Sequence, residues 1–235
     1  KSKGTNYNIG LIIGGLNLSG TTPDRQNIKF YDSSYNELVS WMLGTELYYI
    51  YAIDYDENYI YIGGDFAGYF KIFDKNTLNE VSTGLTFSST VHAISNDDNY
   101  VYLGGYFTGT NMGRFARISK TDWTLQTQSI TFSSTVYTIS NDSNYVYLGG
   151  QFTGTNMNRF ARISKSDWTL QTQTITFGYV YSIFNDSNYV YLGGTFTGTN
   201  MQRFARISKA NWTLTSGIPQ FTTASGSIRA IALLT

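Results

Sequence analysis

The residues able to do chemistry in this chain are few, and their spacing argues against an active site. His92 is the only histidine among 235 residues, and cysteine is absent. Paired-histidine zinc sites and thiolate chemistry therefore have no donors, and a histidine-based triad would depend on one residue. Carboxylates could still serve a glycosidase, which needs one asymmetric pair of acids flanking the scissile bond. The acids instead recur with a sequence repeat. Asp97, Asp98, Asp142 and Asp186 stand in Asn/Asp/Ser turns, while Asp122 and Asp167 stand beside tryptophan. The turns read Asn-Asp-Asp-Asn or Asn-Asp-Ser-Asn and lack the longer ligand ladder, closing on Glu, of an EF-hand calcium loop. They read as hairpin turns. The expectation is a non-enzyme with no cofactor and no metal.

Arginine recurs too, in Arg-Phe-Ala-Arg segments at Arg114/Arg117, Arg159/Arg162 and Arg203/Arg206. Anion binding is one reading of such pairs. Their repetition favours a structural one, bridging to carbonyls or carboxylates of a neighbouring repeat. Trp123, Trp168 and Trp212 are expected to open a strand and pack between repeats, while Trp41 fits the register poorly. The 16 basic and 16 acidic residues balance, with no basic run. Neither a nucleic-acid footprint nor a polybasic membrane patch is present, and no apolar stretch is long enough to span a bilayer.

More telling are the positions at which near-identical copies differ. The second residue of the first strand in each repeat reads Tyr51, His92, Tyr137, Tyr181 and Arg229. The residue after a recurrent Gly-Gly reads Asp65, Tyr106, Gln151 and Thr195, and the following loop carries Asn111, Asn156 and Asn200. These changes are chemically large, whereas those at the opposite end are mild, such as Asp98 to Ser143 and Ser187. Drift after duplication is one reading of this variation. Tuning of a binding site is the sharper reading, with Tyr51, His92, Tyr137, Tyr181, Arg229, Tyr106, Gln151, Asn111, Asn156 and Asn200 as its candidate residues.

The elements that must position them follow from the repeat. Gly63, Gly104, Gly149 and Gly193 each open a Gly-Gly pair, and Gly14-Gly15 makes a fifth. Spacings of about 41 to 49 residues are those of a four-stranded β-propeller blade. With 20 Tyr, 15 Phe and 23 Gly, the composition favours strands and turns. In the copy starting at Val91, strand a is Val91–Ser95, b is Tyr100–Phe107, c is Arg114–Lys120, and d runs from about Trp123 to Phe132. The N-terminus supplies only b, c and d (Ile9–Gly15, Ile28–Asp32, Glu37–Leu43), and residues 227–233 supply a lone strand a. A ring closed by that strand removes the exposed edges. The expectation is one all-β domain over 1–235, a five-bladed propeller with blades at 1–47 plus 226–235, 48–88, 89–133, 134–177 and 178–225.

The segment GGYFTGTNMGRFARISK at 104–120, with its copies at 149–165 and 193–209, resembles the delta-sixty repeat, a bacterial β-propeller repeat family. The copy at Gly63 keeps only GGDF, and Thr-Asp-Trp or Ser-Asp-Trp stands where the family usually carries an Asp-Gly turn. The resemblance implies a propeller in a bacterial or phage-like surface protein and hands over no catalytic residue. The expected function is recognition of a carbohydrate or surface ligand on the face where strand a begins, by a monomeric domain of a larger extracellular or cell-surface protein. The alternative is a structural or protein-interaction module of an adhesin or virion. Neither nucleic-acid binding nor membrane insertion is expected.

Overall fold

A computed structural model describes residues 9–14, 28–41, 49–221 and 226–232. These residues form five separate three-stranded antiparallel sheets, with no helix among them. Sheet one is β1 (Ile9–Gly14), β2 (Ile28–Asp32) and β3 (Glu37–Trp41). Sheet two is β4 (Tyr49–Tyr55), β5 (Tyr59–Asp65) and β6 (Phe70–Asp74). Sheet three is β7 (Val91–Asn96), β8 (Tyr100–Gly105) and β9 (Phe115–Ser119). Sheet four is β10 (Val136–Asn141), β11 (Tyr145–Gly150) and β12 (Phe160–Ser164), and sheet five is β13 (Val180–Asn185), β14 (Tyr189–Gly194) and β15 (Phe204–Ser208). The expected strands a, b and c are therefore present in the last four repeats, and β7 to β9 lie within two residues of the bounds read for them.

The core lies between sheets rather than within any one. Along β8 the pleat sends Tyr102 one way and Val101 and Leu103 the other, and all three are fully buried. Tyr102 joins Phe115 and Phe132 against Val136, Val146 and Leu148 of sheet four. Val101 and Leu103 meet Tyr61, Phe70 and Ile72 of sheet two. The same sorting repeats from sheet one to sheet two and from sheet four to sheet five. Two apolar faces per strand are what a sheet sandwiched between two neighbours requires.

The Gly-Gly pair makes this stacking possible. A Cβ on Gly63, Gly104 or Gly149 would stand 2.6, 2.5 and 2.5 Å from Cγ1 of Val91, Val136 and Val180 in the following sheet. The first glycine is thus the seat for the neighbouring β-branched side chain. A Cβ on the second glycine would instead run into a backbone oxygen of the same sheet: Tyr49 for Gly64, Thr90 for Gly105, Thr135 for Gly150 and Tyr179 for Gly194.

At the opposite end of the sheets, successive repeats are tied by a polar lattice. The turn acids Asp56, Asp97 and Asp142 each accept two backbone N–H groups from the turn that follows, such as Asn99 at 2.9 Å and Tyr100 at 2.8 Å for Asp97. Their other oxygen accepts a buried tyrosine hydroxyl from Tyr61, Tyr102 or Tyr147 at 2.5 to 2.6 Å. It also accepts the ammonium of Lys120, Lys165 or Lys209 from the following sheet at 2.6 Å. Each lysine further donates to Asn96, Asn141 or Asn185. The hairpin turns of the sequence reading therefore carry a second duty, as anchors between sheets.

The fourth strand differs from expectation. Trp123, Trp168 and Trp212 do not open a strand; they sit in turns with φ of 58°, 57° and 58°. Beyond them the chain pairs with strand c at one residue only, Leu125 with Ile118, Leu170 with Ile163 and Leu214 with Ile207. The segment stays extended with alternating burial down to Phe132, but the left-handed turn swings it off the sheet edge after one bridge. In sheet one, β3 is a full strand, antiparallel to β2.

Residues 226–232 form no strand, while Leu233, like Gly15 and residues 42–43, lies outside the described residues. Ile228 nonetheless packs on Gly193, its Cγ2 2.6 Å from where a Cβ would stand, as Val91, Val136 and Val180 do on their glycines. Its backbone N–H reaches Gly194 O at 3.2 Å. Arg203 holds the approach by donating to Gly226 O at 2.9 Å and Phe221 O at 2.8 Å.

Candidate functional site

The first strand of sheets two to five carries a β-bulge at one fixed position. In β7 and β8, Val91 faces Gly105 and Ala93 faces Gly104, so His92 has no partner of its own. Tyr51, Tyr137 and Tyr181 are skipped in the same way. A bulge frees a residue from the pleat and re-aims its side chain. Gly-Gly builds it: the second glycine admits the carbonyl of the residue two before the bulge, and the next backbone N–H, of Tyr106, Gln151 or Thr195, donates to that carbonyl at 2.9 to 3.0 Å.

The bulged side chains form one row. Ring centroids lie 4.6 Å apart for Tyr51 and His92, 5.8 Å for His92 and Tyr137, and 5.4 Å for Tyr137 and Tyr181. The Arg229 guanidinium continues it, 4.6 Å from the Tyr181 ring. The five residues picked out at one position of the repeat are thus neighbours in space, on the end of the sheets that bears Gly-Gly. Tyr51 and Arg229 are exposed, and the three between them are half-buried.

Two further tyrosines extend the row and were missed in the sequence. Tyr49 stacks on Tyr51 at 6.0 Å and 6°, and Tyr179 lies edge-on to Tyr181 at 6.3 Å. Each stands two residues before a bulge, where Thr90 and Thr135 occupy the other repeats. Strand alternation puts residues i and i−2 on one face, so the signal was available. Gln151 braces this end: its Oε1 accepts from the Tyr137 hydroxyl at 3.0 Å, and its Nε2 donates to the Tyr179 hydroxyl at 3.1 Å.

The other candidates stand apart. Tyr106 is exposed and lies under the Arg114 guanidinium at 4.5 Å. Asn111, Asn156 and Asn200 take φ of 60°, 60° and 58°, which shapes the loop after the second strand. Asn111 turns to the outer segment, accepting from Gln128 N at 3.4 Å and Gln128 Nε2 at 3.1 Å. No hydrogen bond or ring contact among the described residues joins Tyr106 or the three asparagines to the row.

Electrostatically the row is neutral in its middle and charged at its ends. Burial pulls the His92 imidazole below its ordinary range, against the opposing pull of Asp65, so it is uncharged near neutral pH. Burial, and then the charge of Asp65, raise the Tyr51 phenol. Burial and the neighbouring Tyr181 raise that of Tyr137. All three offer O–H or N–H donors and aromatic faces at neutral pH. Exposed Asp65 supplies negative charge near Tyr51 and His92, and Arg229 supplies positive charge at the far end. Such an arrangement stacks on apolar ring faces and hydrogen-bonds to hydroxyls.

Two concavities lie elsewhere among the described residues. One of about 420 Å³ lies between sheets three and four, lined by Asp97, Tyr100, Asn141, Lys165 and Trp168. Its repeat, about 560 Å³ between sheets four and five, is lined by Asp142, Tyr145, Asn185, Lys209 and Trp212. In both, lysine and aspartate are already paired with each other.

The arginines bridge repeats in a different way from the one expected. Arg117 and Arg162 lay their guanidinium groups 3.4 Å from the rings of Trp168 and Trp212 in the following repeat rather than on its carbonyls or carboxylates. Arg114 and Arg159 bond within their own sheets, to Tyr106 O and Gln151 O. The tryptophans do pack between repeats.

No protein-family model and no curated protein matches this sequence. Among solved structures, the chain is similar to the computationally designed Ika8 protein, with a TM-score of 0.60 and 15% identity over 89% of this chain and 61% of that one. It is also similar to a chain of the Mitotic Checkpoint Complex, with a TM-score of 0.63 and 14% identity over 86% of this chain and 62% of that one. The chain spans about three fifths of the length of each. Likeness at this level of identity is one of fold, and it supports a repeated, propeller-like all-β architecture.

Proposed function

We propose that this chain is a non-catalytic recognition module of an extracellular or surface protein, binding a carbohydrate or surface ligand along the row from Tyr51 to Arg229. The observation that carries the reading is that the side chains at one position of the repeat, Tyr51, His92, Tyr137, Tyr181 and Arg229, stand side by side, with Tyr51 and Arg229 exposed and the three between them half-buried. Residues serving the sheet core alone would have no reason to differ there. Aromatic faces stack on the apolar face of a sugar ring, and the phenol and imidazole groups bond its hydroxyls. A glycan array run with the wild-type protein and with a Tyr137→Ala/Tyr181→Ala double variant tests this. Two stacking faces at on the order of 1 kcal/mol each predict at least tenfold weaker binding in the variant. Equal signals at an unchanged melting temperature would remove the row from the site.

The same reading includes a ring of five four-stranded blades, in which residues 227–233 complete the first. Support comes from Ile228, which takes on Gly193 the seat that a strand-a valine takes in the other repeats. Deleting residues 226–235 exposes that seat and removes an acceptor of Arg203, so a loss of about 3 kcal/mol is expected. In a chain of this length that lowers the melting temperature by roughly 6 to 12 °C. A truncated chain melting with the full one would rule the closure out.

A further inference from the structure

Arg162 is buried in a way that its neighbours leave incomplete. It lies in β12 at 7% exposure, and its contacts are with two rings, 3.4 Å to Trp212 and 4.9 Å to Tyr145. No described residue accepts a hydrogen bond from it or pairs with its charge, and its Nε is fully buried without a partner. Stacking satisfies the face of a guanidinium but none of its five N–H donors, which lie in the plane. Burial accordingly pulls its pKa below the usual arginine range.

Beside it is a cavity of about 220 Å³ whose walls include Phe160, Gln173, Ile175, Ile207, Asn211 and Trp212. Gln173 is also half-satisfied. Its Nε2 donates to Phe160 O at 3.2 Å, while its Oε1 is buried and unpartnered. A buried polar group normally has a partner, so a donor and an acceptor left open on one cavity point to something that occupies it.

The preceding interface shows what is specific here. Arg117 is equally buried, stacks on Trp168 at 3.4 Å and also lacks partners at Nε and Nη1. The turn facing it carries Asp167, whereas the turn facing Arg162 carries Asn211. Both side chains make the same cap, accepting from the hydroxyl of Thr169 or Thr213 at 2.9 and 2.8 Å. The fold of the turn is therefore kept and only its charge differs. Asp167 is taken up by that cap and makes no ion pair with Arg117, so it offers only a negative charge that repels an anion, whereas the turn facing Arg162 carries no such charge.

We propose that the interface between sheets four and five holds a subsite for a compact hydroxycarboxylate, such as a uronic acid unit. Its carboxylate takes the edge of the Arg162 guanidinium, a hydroxyl donates to Gln173 Oε1, and its carbon skeleton lies against Phe160, Ile175 and Ile207. Charge pairing with a desolvated guanidinium and a geometry of two in-plane donors favour a carboxylate over an uncharged group. The subsite is on a different strand from the aromatic row and does not depend on it.

The test is an NMR titration of the full chain with glucuronate, following the Arg162 Nε–H and Trp212 indole signals, with glucose as the uncharged control. Saturable shifts with glucuronate and none with glucose are expected. Asn211→Asp installs the charge that its sister repeats carry on the same turn, so folding is retained, and binding should weaken at least about tenfold. Arg162→Gln should abolish the shift of the Trp212 signal. No saturable shift up to about 10 mM glucuronate, equal shifts with glucose, or unchanged binding by Asn211→Asp at a wild-type melting temperature would each overturn the proposal.

Discussion

Replacing Gly150 by alanine should cost about 3 kcal/mol, because the added methyl has no direction in which to move. Its nearest neighbour would be the carbonyl oxygen of Thr135, a backbone atom held by the Gln151 N–H at 2.9 Å, and the Phe152 ring closes the other side at 3.0 Å. The strain can be relieved only by opening the bulge at Tyr137, which would bring that residue into the regular ladder and turn its ring out of the row. The melting temperature should fall by roughly 6 to 12 °C. The Tyr137–Gln151–Tyr179 hydrogen-bond chain should be lost with it. Ser143→Ala, on an exposed turn, is the control. A Gly150→Ala variant as stable as wild type would mean that the bulge does not depend on the second glycine.

Asp97→Asn should have an effect of the same order, and one that changes with pH. Desolvation pushes the Asp97 carboxyl up, but Lys165, Tyr102 and the backbone N–H groups of Asn99 and Tyr100 outweigh it and hold the group below the ordinary aspartate range. The ammonium of Lys165 has 11% of its side chain exposed, so removing its counter-charge leaves a largely buried cation, a loss of about 3 kcal/mol. A carboxyl depressed by folding contributes stability that is fully present above the unfolded value, near 4, and is lost as pH falls through the folded value. Asp56 and Asp142 are depressed by the corresponding partners in their own repeats and the following ones, Lys120 and Tyr61 for Asp56 and Lys209 and Tyr147 for Asp142. Wild-type melting temperature should therefore hold above about pH 5 and fall steeply below pH 4. The Asp97→Asn protein should start lower and fall less steeply. Parallel curves for the two proteins would show that Asp97 is not ion-paired in solution.

Much of this architecture was legible in the sequence, and the parts that were not have physical reasons. Strands a, b and c announced themselves because each is bounded by turn chemistry, Asn-Asp on one side and Gly-Gly on the other. Strand d was read too long: the alternation from Thr124 to Phe132 is genuine and buries Ile130 and Phe132, but alternation reports an extended backbone and not a pairing partner. The positive φ at Trp123, which takes the chain off the edge of the sheet, leaves no mark in a residue that rarely adopts it. The row was found because it is a comparison within the chain, one position read across five repeats. Tyr49 and Tyr179 escaped because only two of the five repeats are aromatic there. The lysine–aspartate lattice could not be read locally, since Lys165 and Asp97 are 68 residues apart and meet only when two repeats stack.

In the proposed function a ligand sits along the row from Tyr51 to Arg229. Chemical-shift mapping of the wild-type protein with the glycan giving the strongest array signal tests that most directly. Perturbation is predicted at Tyr51, His92, Tyr137, Tyr181 and Arg229, spreading to Tyr49 and Tyr179. Perturbation confined to Asp97, Lys165 and Trp168 in the clefts at the opposite end, with the row silent, would contradict it.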